Sequence, residues 1–259
     1  MLCKICDSLT HAFTKAEILD QYEIQYFRCP ECGFIQTEEP YWLEEAYSEA
    51  IISTDIGLVC RNMNLAKSTR AIINAFFHGN VQYLDYGGGY GLFVRIMRDM
   101  GYDFYRFDPY CDNLFAKGWD TNSVVSPAYD LVTAFEVFEH LVEPREELKK
   151  ISRFSRNILF STELVPTNIP KPGEWWYYAL EGGQHVALHT MQSLKILAAK
   201  SGLNFVSDGK AFHLMTELEI PQRLFRLARK GLVAKVLNRI HKRKSLLGSD
   251  YQKLTGRAI

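Results

Sequence analysis

The sequence predicts an α/β fold in which a largely parallel sheet is flanked by helices and preceded by a small cysteine-rich ribbon. From about residue 80 onward, strand and helix patterns alternate, as in a parallel sheet. The run VQYLDYGGGYG, residues 81–91, has the form of a buried strand ending in a glycine turn, and the apolar spacing of LFVRIMRDM after it indicates a helix. Two CxxC pairs lie near the N-terminus.

Sequence patterns divide the 259 residues into a ribbon at 1–40, a helical cover at 41–79, a core at 80–218 and a basic tail at 219–259. The formal net charge of zero is unevenly distributed. Residues 1–50 hold ten acidic against three basic side chains, whereas residues 217–259 hold eleven basic against three acidic ones. No apolar run approaches the ~20 residues of a membrane span, and no signal-peptide pattern opens the chain, so we predict a cytoplasmic protein.

The ribbon carries the pairs Cys3/Cys6 and Cys29/Cys32, which are 22 residues apart. A reducing compartment disfavours disulfides, and this spacing suits a tetrahedral zinc site with two sulfurs from each tight turn. Four thiolates leave no coordination position open, so the predicted zinc is structural. The acidic balance of the ribbon opposes nucleic-acid binding and favours docking onto the rest of the chain or onto substrate.

The core elements follow in order. After the helix that follows the glycine turn, strands are predicted at 103–107, at Val124-Val125, at 129–135 and at 156–162. Thr190 is a candidate cap for a helix that ends at Gly202, and Asp208-Gly209 lies between two strand patterns as an antiparallel hairpin turn.

The glycine turn is a candidate nucleotide-like binding site, because a strand–turn–helix unit points backbone N–H groups at a ligand. Asp108 ends the second strand, 23 residues after Asp85, where a carboxylate can accept both hydroxyls of a ribose.

The complete order resembles the class I S-adenosylmethionine (SAM)-dependent methyltransferases, whose Rossmann-like seven-stranded sheet ends in an antiparallel hairpin. The resemblance covers roughly residues 80–218. It is carried by the DxGxGxG-like turn at 85–91, by Asp108, and by FEVFEHL at 135–141, which is similar to the family's EVxEH segment. The ribbon is similar to that of a bacterial subgroup among the sugar and glycan methyltransferases.

The resemblance implies a SAM site, with Gly87 and Gly89 beside the methionine part, Asp108 on the ribose, and Ala134-Phe135 near the reacting methyl group. Asp85 and Gly91 complete the cofactor turn. The position that usually contacts adenine in the family is not identifiable on the third strand.

The acceptor side is predicted from histidines and aromatic residues. His185 is the first candidate for the general base and His140 the second, because an imidazole exchanges protons near neutral pH. The aromatic run and a nearby histidine are candidate contacts for a sugar-like small molecule, namely Trp175, Trp176, Tyr177, Tyr178 and His189. His140 and His189 are open to a structural interpretation, and the aromatic run to that of a packed lid.

Two alternatives remain open at this stage. Glu136, Glu139, His140 and His185 also resemble the divalent-metal cluster of the small-RNA 2′-O-methyltransferases, although the distinctive segment of that family is missing after the fifth strand. The chain could instead be a non-enzymatic zinc-ribbon binding protein. The sequence leaves the methyl acceptor and the oligomeric state open.

The tail predicts one amphipathic helix or two, bent at Gly231. Its apolar residues follow four-residue steps at Leu224, Ala228, Leu232, Val236 and Ile240, with Phe225, Val233 and Leu237 beside them. Either this stripe packs on the core, or the helix lies on an anionic membrane.

Overall fold

The structure is a computed structural model that describes residues 1–47, 55–77, 82–121 and 129–258. Its elements in chain order are β1 (His11–Ile18), β2 (Tyr22–Arg28), β3 (Ile35–Thr37), α1 (Leu43–Ala46), α2 (Leu58–Phe76), β4 (Gln82–Tyr86), α3 (Leu92–Asp99), β5 (Asp103–Phe107), β6 (Leu131–Phe135), α4 (Pro144–Ile151), β7 (Ile158–Ser161), β8 (Ala187–Leu188), α5 (Met191–Lys200), β9 (Asn204–Ser207), β10 (Phe212–Thr216), α6 (Gln222–Ala228), α7 (Gly231–Ile240) and α8 (Leu247–Thr255). Short 3₁₀ helices cover Phe138–His140 and Trp176–Tyr178.

The described strands form two sheets. The ribbon sheet has the order β1-β2-β3-β8, and the core sheet has the order β5-β4-β6-β7-β10-β9. β4 runs parallel to both β5 and β6, and β9 and β10 form the predicted antiparallel hairpin. This confirms the predicted α/β fold. Six strands of the core sheet are described, since the predicted strand at Val124-Val125 lies outside the described residues.

The chain forms two compact units, each assembled from several segments. The first comprises Met1–Ile52, Phe135–Lys150 and Phe160–Glu219, and the second comprises Ser53–Ala134, Ile151–Leu159 and Ile220–Ile259. The segments predicted from sequence are contiguous, whereas both units interleave along the chain.

In the first unit, the ribbon docks onto the segment that precedes α5. β3 pairs with β8 through Ile35 and Leu188, and Thr190 donates from its hydroxyl to the carbonyl of Cys32 at 2.5 Å. The same Thr190 caps α5, as predicted, by accepting from the backbone N–H of Ser193 at 3.0 Å. One threonine therefore joins the second cysteine knuckle to the start of a core helix.

In the second unit, α8 is fastened to α3 by a buried ion pair. Arg98 donates to both carboxylate oxygens of Asp250, at 2.8 and 2.7 Å, and the Arg98 guanidinium lies 4.5 Å from the ring of Trp119. Arg95 adds a third contact to Asp250 at 2.9 Å. A planar guanidinium matches a carboxylate in this two-point geometry, which fixes the orientation of α8.

The stretch 221–244 of the basic tail forms two helices, α6 and α7, with the second beginning at Gly231, as predicted, and α8 is a third helix of the tail that was not predicted. α7 packs on α2, where the side-chain amide of Asn74 donates to that of Asn238 at 3.1 Å. Of the two alternatives for the four-residue stripe, packing on the core holds only in part, since Ala228 is buried. Leu232, Val236 and Ile240 are 80, 55 and 71% exposed, whereas the neighbouring Phe225 is fully buried.

Among the described helices, none combines the length and the apolar character that a membrane crossing requires.

Candidate functional site

The glycine turn connects β4 to α3 and has left-handed backbone at three glycines. Gly87, Gly89 and Gly91 have φ values of 67°, 51° and 84°. Gly91 is also sterically required, because a Cβ there would lie 2.6 Å from Oδ1 of Asn113. At these three positions the turn therefore presents backbone atoms without a Cβ near the N-terminal end of α3, which is the geometry that accommodates a nucleotide-like ligand.

Asp108 is held against this turn. One carboxylate oxygen accepts from the backbone N–H of Gly89 at 2.8 Å, and the other accepts from the N–H of Tyr110 at 2.9 Å. The side chain is half-buried and retains acceptor capacity, because each carboxylate oxygen has two lone-pair directions. The structure thus brings together the two parts of the predicted cofactor site.

Arg106 is a positioning residue that the sequence reasoning missed. Its side chain is buried, and its Nε donates to the carbonyl of Gly89 at 2.5 Å while Nη1 pairs with Asp120 at 2.8 Å. It also donates to the carbonyl of Cys111. The sequence signal for this role was the arginine itself, which occupies an inward-facing position of β5. A buried charge needs dedicated partners, so an arginine there indicates a hydrogen-bonding role.

Asp85, at the end of β4, is 4% exposed, and its Oδ1 accepts from the hydroxyl of Thr133 at 2.6 Å. Burial raises the pKa of the Asp85 carboxyl to about 7; the Thr133 hydrogen bond opposes this shift, the charge of Asp108 adds to it and Arg106 offsets part of it. The cofactor turn thus contains a carboxyl whose proton affinity is well above that of an ordinary aspartate.

Ala134 and Phe135 end β6. Ala134 is buried, and Phe135 is half-buried with its ring stacked on Phe212 at 5.9 Å. Glu136 follows with a φ of 54°, an uncommon backbone conformation for a glutamate that clusters at functional sites. The hydroxyl of Ser161 accepts from the Glu136 N–H at 2.9 Å and donates to its carboxylate at 2.5 Å.

A second polar cluster lies in the first unit and consists of Glu139, His140 and His185. One ligand-type atom from each residue lies within 4.8 Å of the others, and the two imidazole rings are 4.9 Å apart and nearly perpendicular. Stacking of Phe138 on Phe160 at 3.9 Å holds the 3₁₀ helix that carries Glu139. The metal-cluster alternative groups His140 with His185, and the structure places the two side chains side by side.

Glu139 is fully buried, and within the described ranges neither of its carboxylate oxygens has a hydrogen-bond partner of good geometry. Burial and the nearby charge of Glu136 raise the pKa of the Glu139 carboxyl to about 8. The hydroxyls of Tyr177 and Thr162 favour the ionised carboxylate and offset only part of this increase in pKa. Those two hydroxyls instead share a hydrogen bond at 3.2 Å. A buried, unsatisfied carboxyl is costly and needs an explanation, such as a ligand or a chemical role.

The hydrogen bonds of the two histidines define their chemistry. Nδ1 of His185 lies 2.7 Å from the carbonyl of Tyr177. Because a carbonyl only accepts, Nδ1 carries the hydrogen, and the neutral ring has its lone pair on Nε2. Nδ1 of His140 lies 3.0 Å from the hydroxyl of Tyr47, a partner without a sequence signal. The His140 ring keeps some accessible surface, but dense surroundings and the neighbouring His185 lower its pKa to about 3.

The predicted substrate contacts divide into two groups. Trp176 is 70% exposed and Trp175 is half-buried, so both offer aromatic surface. The remaining three need correction, because Tyr177, Tyr178 and His189 are at most 1% exposed. The last two members of the aromatic row turn into the core, where Tyr178 donates to the carbonyl of Pro170 at 2.9 Å. The His189 ring lies 4.9 Å from that of Phe34, which supports its structural interpretation.

The four ribbon cysteines converge on one point. Sulfur–sulfur distances are 3.6 Å for Cys3–Cys32, 3.4 Å for Cys6–Cys29 and 3.6 Å for Cys6–Cys32. Tetrahedral zinc with bonds of about 2.3 Å separates its sulfur ligands by about 3.8 Å. The donor set and spacing therefore suit a four-thiolate metal site.

A family model described as a methyltransferase domain matches residues 61–208, more than half of the chain. No curated protein matches. Among solved structures, magnesium protoporphyrin IX methyltransferase from Synechocystis PCC 6803, with bound SAH, is 12% identical with a TM-score of 0.43 over 68% of this chain and 93% of that one. The plantazolicin methyltransferase BpumL, in complex with SAH, is 12% identical with a TM-score of 0.45 over 78% of this chain and 86% of that one.

Asp85→Asn should change the pH dependence of stability. The folded-state pKa of about 7 exceeds the unfolded value of 3.8, so ionisation favours the unfolded chain and stability falls as the pH rises from about 4 to about 7. Asparagine removes this loss. Relative to the unsubstituted protein, the variant should therefore gain on the order of 2 kcal/mol between pH 5 and pH 8, measured by urea unfolding. Exposed Asp112→Asn is the control, and a difference that is equal at both pH values would contradict the assignment.

Proposed function

Because this chain belongs to the class I SAM-dependent methyltransferases, we propose that it transfers the SAM methyl group to an oxygen or carbon of a polar small molecule, in particular a nucleotide-linked or glycan sugar. The observation that carries the cofactor assignment is the hydrogen bond between the N–H of Gly89 and Asp108, which unites the glycine turn and the ribose-binding carboxylate. The sugar-like acceptor is supported by the exposed Trp176 and half-exposed Trp175, since aromatic faces stack well on sugar C–H surfaces.

In this assignment, Gly87 and Gly89 would lie along the methionine part of SAM, and Asp108 would accept the ribose hydroxyls. Arg106 would hold the Gly89 carbonyl and keep the turn in place. SAM supplies a methyl group already activated by its sulfonium. The protein then needs to hold the acceptor atom about 3 Å away and in line, and to remove its proton.

We assign proton removal to His185, with His140 as the second choice. Nε2 of His185 carries the lone pair, because Nδ1 is occupied by the Tyr177 carbonyl. The low pKa of His140 keeps that ring neutral, so no second positive charge opposes proton transfer to its neighbour.

His185→Ala should reduce kcat by 100-fold or more, because general-base contributions are typically 10² to 10⁴. Affinity for SAM, measured by calorimetry, should stay within about twofold. The matched control is His11→Ala, an exposed histidine on β1. Turnover is measured as methyl transfer from labelled SAM to a panel of nucleotide sugars. Unchanged turnover in His185→Ala would reject the base, whereas absence of SAM binding by the unsubstituted protein would reject the function.

A second candidate mechanism places a divalent cation at Glu139, His140 and His185. It is favoured by the unpaired carboxylate of Glu139 and by the lone pair of His185 Nε2, since buried charges are commonly paired or bind metals. A cation would lower the pKa of an acceptor hydroxyl. Glu136, the fourth residue of the sequence pattern, does not belong to the group that surrounds this point, because its carboxylate accepts from Ser161.

Titration with Mn²⁺ separates the two mechanisms, and it avoids a chelator that would also remove zinc. The cation mechanism predicts one Mn²⁺ site that is lost in Glu139→Gln, with turnover that depends on added cation. The imidazole mechanism predicts full turnover without added cation and no Mn²⁺ site. Glu146→Gln, an exposed glutamate on α4, is the control for the loss of one carboxylate.

We further propose that the four ribbon cysteines bind a structural zinc ion. All four sulfurs lie within 4.8 Å of one another, and a Cys₄ set leaves no position for a substrate. Coordination would supply folding energy to a ribbon too small to be stable on its hydrophobic core alone.

Metal analysis of the purified protein should therefore find one zinc equivalent, which Cys29→Ser should lose, and the thermal unfolding midpoint of this variant should fall by 10 °C or more. Cys60→Ser is the control, because Cys60 is an exposed cysteine on α2. Equal zinc content in Cys29→Ser and in the unsubstituted protein would disprove the site.

A further inference from the structure

The basic tail presents an apolar face to solvent. On α7 the exposed residues are Leu232, Lys235, Val236, Arg239 and Ile240, and they recur at the three- and four-residue spacing of one helical face. We call them the tail face. Its three aliphatic side chains are 55 to 80% exposed, and its two cations lie directly beside them.

This exposure does not come from a loose helix. The opposite side of α7 is anchored in the second unit, where Asn238 accepts from Asn74 at 3.1 Å and donates to the carbonyl of Lys67 at 3.2 Å. Immediately after α7, the guanidinium of Arg243 lies 4.5 Å from the ring of Tyr102. These contacts near the C-terminal end of α7 hold the tail face outward.

The preceding helix continues the pattern. On α6, Leu224 and Leu227 are 48 and 43% exposed, with the exposed Arg223 and Lys230 near them, while Phe225 is fully buried. Aliphatic and basic side chains thus alternate over the outer surface of both helices.

The formally charged side chains between residues 221 and 244 are all positive. Residues 221–244 contain nine lysines and arginines and no aspartate or glutamate. Within the described residues, no ion pair is formed by the side chains of Lys235 and Arg239. The two cations of the tail face, Lys235 and Arg239, therefore lie beside its aliphatic side chains without a carboxylate partner in the described part of the chain.

We propose that the tail face binds the surface of an anionic lipid bilayer, with its aliphatic side chains in the headgroup region and its cations on lipid phosphates. Lysine and arginine beside a leucine, valine and isoleucine row is the pattern of an interfacial helix. Each cation near an anionic surface contributes about fivefold in affinity.

Other occupants fit less well. A second copy would bring nine like charges against nine, which opposes self-association. Nucleic acid would match the charge, but the tail face offers no aromatic side chain on which a base could stack.

The test is flotation of the full-length protein with vesicles of phosphatidylcholine and phosphatidylglycerol. The protein should float with anionic vesicles, and binding should fall at least tenfold in 0.5 M salt or on vesicles of phosphatidylcholine alone. Ile240→Ser combined with Val236→Ser should reduce binding about tenfold, as should Lys235→Gln combined with Arg239→Gln. The matched control is Ile56→Ser, because Ile56 is 95% exposed outside the tail.

Several outcomes would overturn the proposal. They are no flotation of the unsubstituted protein, equal binding to neutral vesicles, and an equal loss in Ile56→Ser. Binding of the same face to single-stranded RNA at lower protein concentration than to vesicles would also overturn it. Thermal unfolding and SAM affinity of each variant separate loss of the surface from loss of the fold.

Discussion

The pairing of β3 with β8 links the cysteine knuckles to the histidine cluster. β8 begins two residues after His185, and the backbone N–H of Val186 donates to the carbonyl of Glu139 at 2.9 Å. The ribbon sheet, the His185 segment and the 3₁₀ helix with Glu139 are therefore one hydrogen-bonded assembly. A segment without long secondary structure of its own, as between β7 and β8, depends on such an edge for its conformation.

Two buried carboxyls show how the same chemical group can serve different purposes. Asp85 lies in the second unit and has a donor, the hydroxyl of Thr133, whereas Glu139 lies in the first and has no donor of good geometry among the residues that the structure describes. Burial raises the pKa of both carboxyls. A buried carboxyl with a hydrogen-bond donor can hold a turn in place. A buried carboxyl without one keeps an unfavourable desolvation free energy, which binding of a proton or a cation can reduce.

Local chemistry made most of the fold predictable from sequence. The glycine turn, the Thr190 cap and the hairpin at Asp208-Gly209 each follow from the conformational preference of a few residues, and each was confirmed. The tail was harder for a geometrical reason. Residues at four-residue steps advance by about 40° around a helix at each step, and this row also crosses the break between α6 and α7. Its members therefore do not share one face: Ala228 is buried, whereas Leu224 and Leu232 are exposed. Arg106 and Tyr47 were missed because their roles depend on partners that only the folded chain brings near.

The buried pair of Arg98 and Asp250 joins residues that are 152 positions apart in sequence. Arg98 also pairs with Asp103, which is close in sequence, so the buried guanidinium has a local carboxylate partner and a distant one. The distant contact costs loop-closure entropy before it stabilises the fold. The second unit is therefore completed by a residue of its last segment, although α3 and β5 lie in an earlier one.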